Sequence, residues 1–283
     1  MHIGVTGASG FIGSHLTRAL RKYGKVVILP RGKSLPSLAQ LKSFVSGVEL
    51  FFHLGGVNRG TDEEILTGNV TATLRLLEAI KKYGEPSARI LFASSAQVYR
   101  LKNRVEKISE SSALQPDSVY GVSKKSAEDL IRISGLPHTI LRMTNAYGPG
   151  CRANYNSVVA TFCQRAKTNL PLQINGQGKQ SRDFVYIDDI VRAFLLAGFQ
   201  EKPPVRKVYN ISSGQMTSLV KIVNTIKGFE KSVRVEFRPG DEDNISYCCD
   251  ANRFRQEFNW KPRTSLNKGI QQTLNYFVKG KNK

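Results

Sequence analysis

The stretch MHIGVTGASGFIGSHL, residues 1–16, carries the signal that decides the fold. His2–Thr6 reads as a short buried strand, and Phe11–Lys22 has the periodicity of an amphipathic helix. Between them Gly7, Gly10 and Gly13 stand at G-x-x-G-x-x-G spacing. Gly7 permits a tight turn out of the strand. Gly10 lets the backbone approach a pyrophosphate, and Gly13 lets the helix pack on the strand. The helix opens with Phe11 and Ile12, and its free N–H groups and positive dipole end face the anion. A lone glycine triplet means little, but one set between strand and helix at residue 7 predicts a dinucleotide-binding unit.

The same alternation continues outward. Lys25–Leu29, Leu50–Leu54, Arg89–Ser94 and His138–Arg142 read as strands, with helix patterns at Glu63–Lys82 and Ser118–Ile133. This predicts an α/β protein with a Rossmann doubly wound parallel sheet, and ligands at the carboxyl ends of its strands. After Gly148-Pro149-Gly150 the order loosens, with short strands expected at Asp183–Ile187, Lys207–Ile211 and Val233–Phe237. The expected division is a dinucleotide-binding domain over 1–150 and a smaller C-terminal substrate-binding lobe over 151–283. Some segments of that lobe should return to the main sheet.

Composition narrows the function classes. With 283 residues, 40% of them hydrophobic, the chain can bury a sizeable core. No run approaches the roughly 18 apolar residues of a membrane helix, and the start lacks the basic region of a signal peptide. A cytoplasmic protein without membrane insertion is expected. Cys151, Cys163, Cys248 and Cys249 form no C-x-x-C pair or zinc pattern, so reduced structural thiols and no metal are expected. The net charge of +20 raises nucleic acid as a partner. The basic residues are nonetheless spread along the chain without an RNA or DNA motif, so the charge reads as a field for an anionic substrate.

The second strand informs by absence. Enzymes that prefer NAD(H) place Asp or Glu at its end for the ribose hydroxyls. Here Pro30 stands there, followed by Arg31 and Lys33. In so basic a chain Arg31 could be ordinary surface, but with the acid missing the pair favours a 2′-phosphate, hence NADP(H) over NAD(H).

Tyr120 and Lys124 open the Ser118–Ile133 helix four residues apart, on one face. A nearby ammonium would lower the phenol pKa and make Tyr120 a workable acid/base. Such a pair is common on ordinary helices. Its context is Ser95, which ends a buried strand 25 residues earlier and can hydrogen-bond a substrate alkoxide.

With these residues the chain resembles the extended short-chain dehydrogenase/reductase family, the NAD-dependent epimerases and dehydratases, over nearly its whole length. Matching stretches include Leu54-Gly55-Gly56, Asn69-Val70, Leu141–Asn145 before Tyr147-Gly148-Pro149, Arg182–Asp189, Arg238–Asp241 and Phe258–Pro262. The resemblance implies that Leu54, Gly55, Gly56, Val57, Asn69 and Thr144 line the cofactor together with Tyr120 and Lys124. It implies that Asn145 and Asn156 hold a nucleotide-diphosphate sugar (UDP, dTDP or GDP) whose phosphates pair with Arg182 and Arg238. Asp188 and Asp189 read as caps of the following helix. Many such relatives form homodimers, here through helices 63–82 and 118–133.

Relatives that eliminate water carry Asp-Glu after the catalytic hydroxyl residue, and sugar-acid decarboxylases a nearby Glu. Here Ala96 and Gln97 stand there, which argues against both chemistries. Two readings remain. An NADPH-dependent reductase of a nucleotide-linked 4-keto-6-deoxy sugar is favoured, because the acid after the second strand is missing and the 30–50 stretch is too short for the usual extra βα unit. Parts also resemble the reductase domain of capsular-polysaccharide enzymes. The alternative is a UDP-hexose type 4-epimerase. A non-catalytic NADP sensor or RNA-associated scaffold is remote, since Ser95, Tyr120 and Lys124 are all present.

Overall fold

The computed structural model describes residues 1–30, 32, 35–101, 107–155, 157–201, 204–239 and 246–279. The glycine signature lies where the alternation places it, between β1 (His2–Thr6) and α1 (Phe11–Leu20). Then follow β2 (Lys25–Ile28), α2 (Leu38–Val45), β3 (Leu50–His53), α3 (Asp62–Leu66), a π-helical turn over Thr67–Thr71, and α4 (Ala72–Tyr83). β4 (Arg89–Ser95), α5 (Val119–Ile133) and β5 (His138–Met143) complete this half. The short α2 escapes the periodicity reading, although Ser37 and Gln40 form a full capping box at its start.

The remainder runs β6 (Asn145–Tyr147), α6 (Val158–Lys167), β7 (Leu172–Asn175), β8 (Ser181–Arg182), β9 (Phe184–Tyr186) and α7 (Ile187–Phe199). It continues through β10 (Lys207–Ile211), β11 (Thr217–Ser218), α8 (Leu219–Phe229), β12 (Val235–Arg238), α9 (Asn252–Phe258) and α10 (Leu266–Lys279).

The main sheet has six strands in the order β2-β1-β3-β4-β5-β10, every neighbouring pair parallel. This is a doubly wound Rossmann sheet. The chain reverses direction at β1 and β3, whose carboxyl ends flank the crevice where ligands bind. No strand lies outside β2 among the described residues, because the connection from β2 to β3 holds only α2. β10 comes from the C-terminal half and pairs with β5, Lys207 beside Thr139 through Ile211 beside Met143.

Buried-on-both-faces strands read as continuous apolar runs, and two cores result. Phe51, Phe92 and Ile140 face Leu76, Leu77 and Ala127 of α4 and α5. Ile3, Phe52 and Leu141 face Leu16 of α1 and Phe194 of α7, in a core that runs on into the lobe through Phe162, Ile222 and Trp260. Among the described residues, the remaining strands form three two-stranded sheets, β8–β11, β7–β12 and β6–β9.

The expected caps at Asp188 and Asp189 are corrected. Tyr186 is the N-cap of α7, and no side chain caps it. The buried Asp189 carboxylate instead accepts from Arg192 and from the backbone N–H groups of Arg263 and Thr264, at 2.9–3.0 Å. Trp260 donates its indole N–H to the Asp189 carbonyl (3.1 Å). Asp189 thereby anchors the C-terminal segment.

Candidate active site

The three glycines meet distinct demands. Gly7 has φ +70°, and a Cβ there would lie 2.6 Å from the Gly55 nitrogen. A Cβ on Gly13 would collide with the Gly7 carbonyl. Gly10 is the N-cap of α1 and supplies no capping side chain, and the first turn carries no acid. Serines cap α2, α5, α6 and α8. The α1 end therefore presents free N–H groups and uncompensated positive potential, as an anionic pyrophosphate requires. Phe11 and Ile12 are half-buried in this turn.

Leu54–Val57 lies against that turn, held by buried polar side chains. Asn69 is almost fully buried in the π-helical turn. Its amide N–H groups donate to the Val57 carbonyl (2.7 Å) and to Ser123 Oγ (2.9 Å), and its oxygen accepts from Val57 N (3.0 Å). A Cβ on Gly56 would strike that oxygen. Asn69 thus lies beside the Leu54–Val57 loop with its amide committed to it.

His53 adds a second tie. Thr73 donates to the Asn69 carbonyl (2.5 Å), so its oxygen accepts from His53 Nε2–H (2.9 Å). Nδ1 then accepts from Thr6 (2.6 Å), whose Oγ1 accepts from Gly55 N–H (2.9 Å). Burial, with the nearby Lys124 charge, lowers the His53 pKa to about 3, so the ring is neutral.

Ser95 and Tyr120 meet because α5 comes close to the turn after β4. A Cβ on Gly121 would collide with the Gln97 carbonyl, so only glycine admits this approach. Ser118 caps α5 and donates to the Gln97 side chain (3.2 Å). Ser95 Oγ accepts from Gln97 N (3.2 Å) and is hydrogen-bonded to the Tyr120 hydroxyl. Lys124 is buried one turn further. Its ammonium donates to the Ala93 carbonyl (2.7 Å) and lies 4.5 Å above the Phe92 ring.

The expected depression of the phenol pKa is corrected. Burial pushes Tyr120 up to about 12, against a lowering by the Ser95 hydrogen bond. Burial is the larger influence, and the Lys124 ammonium makes its hydrogen bond to the Ala93 carbonyl. Lys124 itself is lowered to about 8 by burial, countered by Glu128. At neutral pH the pair is a phenol above an ammonium.

A sequence reading misses the polar groups beneath this site. Glu128, fully buried on α5, accepts from Ser94 Oγ (2.5 Å) and from Arg142 Nε and Nη2 (2.9 and 2.6 Å). Arg142 also donates to Tyr99 Oη (2.8 Å), which donates to Asn210 (2.9 Å). Asp183 accepts from Thr144, Ser212, Ser213 and the Gly214 N–H at 2.5–3.2 Å. Asp183 stands immediately before the apolar strand β9.

The substrate candidates separate. Asn145 Nδ2 donates to the Asp183 carbonyl and to Tyr247 Oη (both 2.9 Å), and the Arg182 guanidinium lies 5.9 Å from the Tyr247 ring. Asn145, Arg182 and the unforeseen Tyr247 form one cluster. Arg238 is exposed at the end of β12, in a different two-stranded sheet. Arg31 and Asn156 fall outside the described residues. Among the described residues no group of three or more His, Cys, Asp or Glu could hold a metal ion, and no helix is long and apolar enough to cross a membrane.

The sequence model of the NAD dependent epimerase/dehydratase family matches residues 3–212. The chain belongs to this family. It is an enzyme of the epimerase/dehydratase type. It is 35% identical over 200 residues to a UDP-2-acetamido-2,6-beta-L-arabino-hexul-4-ose reductase of Pseudomonas aeruginosa. That alignment covers 69% of this chain and about half of the relative, 49%. An uncharacterized UDP-glucose epimerase of Bacillus subtilis is 30% identical over 98% of each chain. Among solved structures, a UDP-glucose 4-epimerase of Thermotoga maritima with UDP-glucose superposes with a TM-score of 0.89 at 29% identity, covering 99% of both chains. A UDP-glucuronic acid 4-epimerase of Bacillus cereus in complex with UDP-glucuronic acid and NAD gives 0.88 at 26% identity.

Proposed function

We propose that this protein is a NAD(P)-dependent oxidoreductase acting at C4 of a nucleotide-linked sugar, and that its reaction is the NADPH-dependent reduction of a 4-keto-6-deoxy sugar. The observation that carries this reading is the Ser95–Tyr120 hydrogen bond above Lys124, beside the glycine loops, with no carboxylate at positions 96 and 97. The uncapped α1 end and the Leu54–Val57 loop fit a dinucleotide, which supplies hydride when bound. Residues 1–150 bind the dinucleotide in this reading, and 151–283 the sugar nucleotide.

The chain's own groups handle the proton. Tyr120 rests as a phenol. It passes its proton to the oxygen at C4 as that oxygen gains negative charge, and Ser95 hydrogen-bonds the same oxygen. Lys124 stabilises the phenolate left behind. The Ala96 methyl and Gln97 amide add no acid or base for water elimination. Asn145 and Arg182 orient the diphosphate sugar; the family resemblance adds Asn156, and Arg238 from a separate strand pair, and Arg31, from its place after β2, reads the 2′-phosphate. Exposed Leu66, Leu74, Val122 and Ile133 support a homodimer through α3, α4 and α5.

A UDP-hexose 4-epimerase is the second reading, favoured by the full-length likeness to epimerases. Purified enzyme with NADPH or NADH and a panel of UDP-, dTDP- and GDP-sugars separates the two. Stoichiometric NADPH oxidation with a 4-keto sugar supports the reductase. Interconversion of 4-hydroxy sugars without net cofactor consumption refutes it in favour of the epimerase.

A further inference from the structure

We infer that Glu128 is a positioning residue whose buried charge holds Lys124 as an ammonium under Tyr120, with Arg142 setting how much of that charge Lys124 receives. The inference rests on the proposed role of Lys124 in proton transfer. Lys124 and Glu128 stand four residues apart on the buried face of α5, with 4% and no exposure. Burial of an ammonium favours its neutral form, so something must oppose that tendency.

The Ala93 carbonyl and the Phe92 ring face favour the ammonium, and among the described residues one group adds a full opposite charge. From β4, Lys124 meets the Ala93 carbonyl and the Phe92 ring, both uncharged. From β3, His53 is neutral. The Leu54–Val57 loop offers Gly56, and a Cβ there would sit 3.7 Å from the ammonium. On α5, Tyr120 is a neutral phenol. Glu128 is the anion, and its attraction is the influence that opposes burial at Lys124. From β5, Arg142 grips both Glu128 oxygens and draws part of the field away from α5.

This arrangement predicts opposite effects from two substitutions that damage the same ion pair. Glu128→Gln keeps an acceptor for Ser94 but removes the charge, so the Lys124 midpoint falls by about one pH unit. Arg142→Gln leaves the carboxylate less neutralised, so the midpoint rises. A purely structural role would give both variants the same sign.

The experiment is NMR of protein carrying ¹³Cε-lysine, with the Lys124 signal assigned by Lys124→Arg, titrated from pH 6 to 11 alongside a pH–rate profile. Expected are a lower midpoint and a lower alkaline limb in Glu128→Gln, and higher ones in Arg142→Gln. Unchanged midpoints, or shifts of the same sign, overturn the inference. Should Glu128→Gln fail to fold, the charge-free pair Glu128→Gln/Arg142→Met replaces it. A midpoint below wild type supports the inference there, and an unchanged one overturns it. If midpoints shift as expected while no nucleotide sugar is turned over, the catalytic reading fails and the electrostatic one stands.

Discussion

Replacing Asn69 by leucine tests how Leu54–Val57, the proposed cofactor loop, is held. Leucine is close to asparagine in size, so packing changes little and the loss is confined to hydrogen bonds. Three disappear: two to the Val57 backbone and one to Ser123. At about 1 kcal/mol net for each, the native state loses about 3 kcal/mol, which corresponds to a fall in Tm of about 5–10 °C. The two Val57 bonds act on the loop itself. Losing about 2 kcal/mol of its preference for the ordered form should weaken dinucleotide binding up to about 30-fold. Calorimetric titration with NADPH and NADH, with thermal melts of the same samples, measures both quantities. A lowered Tm with unchanged dinucleotide affinity would refute the reasoning, because Asn69 would then support the fold without ordering the loop.

Three other substitutions probe separate links. Tyr120→Phe removes the transferable proton and should cut turnover by about 10²–10⁴ with substrate binding retained, and near-normal steady-state rates would dismiss the proton-transfer role. His53 has a pKa near 3 in the fold against an ordinary 6.5, so the unfolded chain takes up a proton first as pH falls. Stability should drop between pH 6.5 and 3, by about 2 kcal/mol at pH 5, and His53→Gln should flatten that part of a urea-melt pH series. Arg182→Ala should raise KM for the sugar nucleotide with little effect on cofactor binding, and an unchanged KM would remove Arg182 from the phosphate site.

The fold was legible where local chemistry and topology agree. The glycine signature had to follow β1, and β10 occurs at Lys207–Ile211 as its apolar run predicts. Ser95, Tyr120 and Lys124 were legible because each lies at the end of a strand or the start of a helix. The polar network beneath them was not. Glu128, Arg142, Tyr99 and Asn210 come from four separate segments, and nothing in any one of them announces the others. The state of Tyr120 was hidden for a related reason, since spacing brings an ammonium near the phenol but does not say that its proton goes to Ala93. Asn69 shows the same limit, because its residue type marks a polar task and only the fold reveals that the partners are Val57 and Ser123.

The route of the chain through α7 and β10 also constrains how this enzyme can diverge or be re-engineered. The C-terminal part of the chain is not a cassette appended to a finished sheet. Residues 187–211 leave it to pack α7 on α1 and lay the sixth strand beside β5, then the chain returns. A cut after residue 150 would strip the sheet of an edge strand and a covering helix, so neither half is a sound unit for expression alone. Exchanging whole lobes between relatives would disturb the shared scaffold. New specificity is more accessible through the segments on either side of this excursion, around Asn145–Arg182 and Gly214–Tyr247, which can change while the frame between them stays put.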